Sequence, residues 1–240
     1  MDSNKKIARI AGLFYLVLVL TGIFSLLYVP SKLIVRSDAA ATFSNIVANE
    51  TLFRLGIVAG IIAYISFLFL PLVLYKLLSP VNKIAAISMV ALAVASVPIS
   101  LVNINHKLEV LTFISKANYL NVFQENQLHA QVMLSLERYS NGIESVSIFW
   151  GLWLLPFGYL VLKSGFLPKV LGIFLMMGCF GYLINFIGDF LFPGYADLGI
   201  ASFISIPGSV GEIVALICAV GVSRTPQRRV EQTTVPAELP

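Results

Sequence analysis

Six long apolar runs, separated by charged or turn-rich segments, occupy most of this 240-residue chain. Each run is close to the ~20 residues that an α-helix needs to cross the roughly 30 Å hydrocarbon core of a bilayer. The runs contain one charged residue, Glu212. They cover residues 10–29, 55–75, 84–105, 146–162, 170–188 and 200–222. The pattern therefore predicts a multi-pass membrane protein.

The composition agrees with that prediction, because 58% of the residues are hydrophobic and 12% are charged. A soluble domain carries about 25% charged residues. Inside a bilayer every backbone polar group must be paired within the protein, so only helices or closed barrels can span. Barrel strands alternate apolar and polar residues over short segments, whereas these runs are continuous. We expect an all-α membrane protein with a six-transmembrane-helix bundle over residues 1–223 and a disordered polar tail over 224–240.

The basic residues predict the orientation of this bundle. Ten Lys and Arg residues fall in the N-terminus, two short turns and the tail, which lie on one side of the membrane. Six fall in the much longer segments on the other side. The positive-inside rule then places both termini in the cytoplasm. The same bias accounts for the net charge of +4, so we expect the lipid bilayer as partner and no nucleic acid. The oligomeric state does not follow from the sequence.

The longest segment between two runs is predicted to be structured. Apolar residues recur at helical spacing within it, and a structureless connection of this length is uncommon. We expect the third helix to continue outward to about Lys116, turn near Ala117, and return as a second helix. This forms an extracytoplasmic helical hairpin over about 106–142, between helices 3 and 4. Asn141-Gly142 is expected to break or kink the entry to helix 4, and residues 39–49 to form an interfacial helix.

One block around the fourth and fifth runs resembles a known family. It comprises Phe149-Trp150-Gly151-Leu152-Trp153-Leu154-Leu155-Pro156-Phe157-Gly158-Tyr159-Leu160 and then Lys163-Ser164-Gly165-Phe166-Leu167-Pro168-Lys169. Gly181-Tyr182-Leu183-Ile184 and Pro207…Gly211-Glu212 fit the same resemblance. The chain resembles an uncharacterised family of bacterial integral membrane proteins with about six helices, catalogued as a domain of unknown function. The resemblance implies a bacterial cytoplasmic membrane and the six-helix architecture, but no reaction.

Glu212 is the first candidate site residue. It lies near the middle of the sixth run, where a carboxylate costs roughly 2.5–3.5 kcal/mol on insertion scales. The residue must therefore be protonated, paired or in contact with water. It could form a proton or cation site, or contact a ligand. Equally, it could be a protonated acid that donates one hydrogen bond between helices.

Polar residues near the outer ends of the helices complete the candidate set. Asn185 and Asp189 share one face of the fifth helix, with Tyr182 one turn below. They could line a cavity that opens outward, or form an interhelical hydrogen bond and an interfacial acid. Arg54, Asn103 and His106 lie toward the same side. Two His and Glu pairs there are an alternative metal site, but without clustered histidines we predict no metal and no cofactor.

Three classes of function remain open. The first is binding or transport of a small molecule or an ion through an outward-facing polar cavity, lined by these residues with Glu212 at its base. The second is a membrane-embedded enzyme acting on a lipid-like substrate, although the sequence has no nucleophile motif and no histidine within a span. The third is a regulatory or immunity-type membrane partner protein whose outer hairpin contacts another protein. We favour the first.

Overall fold

A computed structural model describes residues 2–115, 117–165, 167–201, 203–206, 208, 210, 211 and 214. Side chains are not described at residues 2–5, 196 and 197. These parts of the chain form helices and turns, with no strand among them. The predictions on Glu212, the end of the sixth run and the tail lie outside the described residues.

Nine α-helices carry the described fold, together with one π-helical and two 3-10 segments. The order is α1 (Asp2–Ile23), a π-helix (Phe24–Tyr28), α2 (Val29–Leu33), α3 (Ala39–Ala48), α4 (Glu50–Leu78), α5 (Lys83–Asn103), α6 (Asn105–Ile114), a 3-10 helix (Asn118–Val122), α7 (Glu125–Leu152), α8 (Leu154–Ser164), α9 (Lys169–Leu191) and a 3-10 helix (Tyr195–Leu198). The described residues between 200 and 214 are also helical; we call them the C-terminal helical stretch.

By length and composition, five helical stretches in the described part of the chain could cross a membrane. They are Lys6–Leu33, Glu50–Leu78, Lys83–Ile114, Glu125–Ser164 and Lys169–Leu191. Each contains one of the first five predicted runs. Large apolar side chains such as Leu13, Ile84 and Val170 are well exposed on these helices, as expected of surfaces that contact lipid. The described part of the chain is all-helical, and its long apolar helices indicate a membrane-embedded protein.

Glycines allow the spanning helices to approach closely. Gly56 and Gly60 of α4 lie against Val29 and Ser25 at the end of the first span. A Cβ atom on Gly158 of α8 would lie 2.6 Å from the backbone oxygen of Gly172 of α9. A Cβ atom on Gly172 would lie equally close to the backbone oxygen of Gly158. Small residues at such crossings permit the backbone packing that stabilises helix pairs in membranes. The glycine pair on α4 therefore serves packing within the bundle.

The segment between the third and fourth predicted spans folds as a helical hairpin. The α6 helix packs against α7, and α3 packs beside them on α7. Gln124 and Gln127 cap the start of α7 reciprocally, which fixes where the return helix begins. Ile104 separates α5 from α6, and α6 ends at Ile114, slightly earlier than predicted.

Of the break or kink predicted at Asn141-Gly142, the break is wrong. The α7 helix passes through both residues and continues to Leu152. The side chain of Asn103 lies directly against Gly142, so that a Cβ atom there would overlap the Asn103 amide. Gly142 is therefore a contact site for a neighbouring helix. Its cost in helix propensity, up to ~1 kcal/mol, is offset by packing.

Candidate functional site

Asn103 belongs to a buried polar cluster at the junction of α5, α6 and α7. Its Nδ2 atom donates a hydrogen bond to the backbone oxygen of Tyr139, at 2.9 Å. The hydroxyl of Tyr139 lies 3.3 Å from the hydroxyl of Tyr64 on α4, and all three side chains are buried. Buried polar groups are costly unless they are paired, so this network fixes α4, α5 and α7 relative to one another.

Lys107 adds a positive charge to this cluster. Its side chain is 5% exposed, and its Nζ atom lies 4.1 Å from the centre of the Tyr139 ring. The ring face attracts a cation, which partly offsets the loss of hydration. Lys107 was not among the candidate residues predicted from the sequence. Its position on one face with Val110 and Ile114, which are buried too, is the signal that could have revealed it.

Arg54 and His106 lie apart from this cluster in local pairs. Arg54 forms a salt bridge of 2.6 Å with Glu50, one helical turn away, and both side chains are exposed. The Nδ1 atom of His106 lies 3.2 Å from Glu109, which also accepts a hydrogen bond from Ser135 on α7. The contact of Ser135 with Glu109 joins the two helices of the hairpin.

Asn185 and Tyr182 belong to a second group, between α9 and the C-terminal helical stretch. The Nδ2 atom of Asn185 donates hydrogen bonds to the Ser205 hydroxyl at 2.8 Å and to the Ala201 backbone oxygen at 3.1 Å. Its side-chain oxygen accepts a hydrogen bond from the Tyr195 hydroxyl, at 2.9 Å. Asn185 therefore uses both ends of its amide to connect α9 to the two segments that follow it.

A small cavity lies next to this group. It has a volume of about 80 Å³ and is lined by Gly178, Tyr182, Ser205 and Gly208. Gly178 and Gly208 also mark a close approach of the two helices, since a Cβ atom on Gly178 would lie 2.7 Å from the Gly208 Cα atom. Because these glycines have no side chains, space remains between the helices, and Tyr182 and Ser205 complete its lining.

Asp189 lies outside this cavity. Its side chain is exposed, one helical turn beyond Asn185 on α9. It is close enough to Glu144 of α7 for the two carboxylates to repel each other, and Arg36 partly compensates.

The α7 helix separates the two polar groups. Trp150 lies 6.4 Å from the Tyr64 ring on one side, measured between ring centres. A Cβ atom on the next residue, Gly151, would lie 2.6 Å from the Tyr182 Cβ atom on the other side. The six candidate residues that the structure describes therefore lie in different places: Asn103 lies in one group, and Tyr182 and Asn185 lie in the other.

Metal ligands do not converge in the described part of the chain, where no three His, Cys, Asp or Glu residues come together. His129 lies 3.8 Å from Glu125 and packs on Phe43 of α3, apart from the pair of His106 and Glu109. Each His and Glu pair is a local contact along one helix.

Comparison with known proteins supports the resemblance seen in the sequence. No curated protein and no solved structure matches the chain. A family described as "Domain of unknown function (DUF4386)" matches residues 10–217. That range includes all five candidate spans except the first residues of the first. The chain belongs to this family, the DUF4386 domain of unknown function.

Proposed function

We propose that this membrane protein binds or transports a proton or a small monovalent cation in the cavity between α9 and the C-terminal helical stretch. Glu212 would supply the negative charge. The protein would lie in a bacterial cytoplasmic membrane as a six-helix bundle with both termini in the cytoplasm. The observation that carries the proposal is the cavity lined by Tyr182 and Ser205.

The size of the cavity limits the ligand. Its volume is about 80 Å³, and a water molecule occupies roughly 30 Å³ in the liquid. Pockets for drug-sized ligands have volumes of about 300–1,000 Å³. An ion or two to three water molecules match the space, whereas a lipid-like substrate does not.

The surrounding atoms favour a cation. Two of the residues that line the cavity, Tyr182 and Ser205, carry hydroxyl oxygens. Oxygen atoms of hydroxyls and backbone carbonyls can replace part of the hydration shell of a cation. Glu212 follows Gly208 by four residues, and its described neighbours Gly211 and Val214 are helical. A carboxylate at this depth is expensive in lipid, so a nearby cation or proton would stabilise it.

Ion-dependent stability of the full-length protein in detergent tests the proposal. Melting temperatures are measured with Na⁺, K⁺ or N-methylglucamine at equal ionic strength, and across pH. Glu212→Gln keeps the hydrogen-bonding shape but removes the titrating charge. Glu125→Gln is the control, since its side chain is 87% exposed at the start of α7. We expect the melting temperatures of wild type and Glu125→Gln to depend on the cation or on pH. The melting temperature of Glu212→Gln should not show this dependence.

The same variants are reconstituted in vesicles to measure flux. A pH-sensitive dye reports protons, and tracer uptake reports Na⁺ and K⁺. The proposal is supported if the Glu212→Gln variant remains folded but loses either the cation-dependent stability or the cation flux of wild type. A wild-type protein with neither cation-dependent stability nor flux contradicts it, as does a Glu212→Gln variant that keeps both. Should Glu212→Leu be more stable than wild type while the effects persist, Glu212 is not part of the site.

A further inference from the structure

Lys107 is a buried charge without a carboxylate partner in the described part of the chain. Its side chain is 5% exposed, and no described acid lies within salt-bridge distance of its Nζ atom. The nearby acid on its own helix, Glu109, instead contacts His106 and Ser135. Proteins rarely bury lysine fully unless it is paired, because the desolvation of an ammonium group is expensive.

The only contact recorded for the Lys107 ammonium among the described residues is the face of the Tyr139 ring. A cation–π contact is worth about 0.5–2 kcal/mol, which is less than the several kcal/mol that burial of an ion costs. The positive charge is therefore only partly compensated. A compact anion beside Lys107 would provide the missing compensation.

Hydrogen-bond donors lie in the same cluster. The hydroxyls of Tyr64 and Tyr139 share one contact, at 3.3 Å, in which either oxygen can be the donor. Two phenols carry two protons, and one shared hydrogen bond uses one of them. The second phenolic proton can point toward an anion, alongside the three donors of the ammonium group.

The position of Lys107 suits access from the outer aqueous side. The α5 helix rises about 30 Å over its 21 residues from Lys83, which matches the thickness of the hydrocarbon core. Lys107 lies one helical turn beyond the end of α5, in α6. With the N-terminus in the cytoplasm, this places Lys107 at the depth of the outer lipid headgroups.

We infer that Lys107, together with the Tyr64 and Tyr139 hydroxyls, forms a second site that binds a compact phosphate-bearing anion. Lysine binds phosphate as a point charge, and the phenol would orient one of its oxygens. The anion is either free inorganic phosphate or the phosphate of a lipid headgroup, which reach this depth from the water and from the outer leaflet respectively. The site is separate from the proposed cation cavity, and neither depends on the other.

Thermal unfolding in an uncharged maltoside detergent tests this inference on the full-length protein. One arm adds inorganic phosphate, and the other adds phosphatidylglycerol to the micelles. The variants are wild type, Lys107→Met and Lys32→Met. Lys32 is the matched control, because it also lies near a tyrosine ring, 6.0 Å from the centre of Tyr28, but its side chain is exposed.

We expect phosphate, phosphatidylglycerol or both to raise the Tm of wild type and Lys32→Met by about 3–6 °C at tenfold excess over Kd. Lys107→Met should lose this rise. A rise with inorganic phosphate identifies a free anion, and a rise with the lipid alone identifies a headgroup. Equal rises in wild type and Lys107→Met, or no rise in either arm, overturn the inference. Circular dichroism and gel filtration confirm that Lys107→Met remains folded and monodisperse.

Discussion

At the residue scale, the polar side chains of this chain act mainly as connections between helices. Asn103 joins α5 to the backbone of α7, and Asn185 joins α9 to the segments that follow it. Hydrogen bonds of this kind in membranes average about 0.6 kcal/mol and reach 1–2 kcal/mol. Lys107 differs, because its charge has only the ring of Tyr139 as a recorded partner in the described part of the chain.

The contact of Asn103 with Gly142 yields a double-mutant prediction. Gly142→Ala should lower the free energy of unfolding by about 1–3 kcal/mol, because the new methyl group overlaps the Asn103 amide. The double variant Asn103→Ala with Gly142→Ala should recover part of that loss, since the overlapping group is gone. Unfolding in detergent with added denaturant measures each value.

Gly22→Ala is the control for this pair, since no atom lies within 4 Å of the position that its Cβ atom would occupy. That variant should be neutral or more stable by up to ~1 kcal/mol, from helix propensity alone. If Gly142→Ala behaves like Gly22→Ala, the contact between Asn103 and Gly142 has no energetic role.

Sequence reasoning reached some of these residues and missed others for a physical reason. Helical spacing placed Tyr182 and Asn185 on one side of α9, and both face the C-terminal helical stretch. The contact of Lys107 with Tyr139 joins residues far apart in the chain, so no local pattern contains it. Gly142 was taken for a helix breaker, although its neighbour in space, Asn103, requires a residue without a side chain there.

At the element scale, hydrophobicity and length were enough to predict most helices. Each of the first five predicted apolar runs lies within one of the five long helical stretches, and the predicted helix over 39–49 corresponds to α3. The break between α7 and α8 at Trp153 lies just before Pro156, whose missing N–H removes a helical hydrogen bond to Leu152, where α7 ends. The sequence did not predict which helices pack against each other, because this depends on glycine contacts between distant parts of the chain.

Close packing of α9 on the C-terminal helical stretch leads to a second prediction. Gly178→Ala should destabilise the protein by about 1–3 kcal/mol, because the new Cβ atom would lie 2.7 Å from the Gly208 Cα atom and backbone must move. It should also alter the cavity that both glycines line. The measurements are the Tm in detergent and the cation dependence of that Tm.

Gly22→Ala again provides the comparison, since it adds the same methyl group to an open position on α1. A Gly178→Ala variant with wild-type stability and an unchanged cation effect would mean that α9 and the C-terminal helical stretch do not pack as described. If Gly178→Ala loses stability and Gly22→Ala does not, the result supports the close approach of α9 to the C-terminal helical stretch.

At the scale of the whole molecule, the helix lengths support a bundle with one projecting end. The stretch Glu125–Ser164 has 40 residues and would reach about 60 Å, twice the thickness of the hydrocarbon core. If Ser164 lies near the cytoplasmic surface, as the flanking Lys163 and Lys169 suggest, the first half of α7 lies outside the membrane. The hairpin of α6 and α7 would then face the outer aqueous phase.

The proposed sites all depend on one claim: six crossings, with both termini in the cytoplasm and the hairpin outside. Cysteine accessibility in intact cells tests it most directly, in a background where Cys179 and Cys218 are replaced. Val122→Cys lies at the tip of the hairpin, where the native side chain is 80% exposed, and Thr234→Cys reports the tail. We predict that a membrane-impermeant maleimide labels Val122→Cys in intact cells and labels Thr234→Cys only after lysis. Labelling of Thr234→Cys from outside, or protection of Val122→Cys until lysis, would contradict the account.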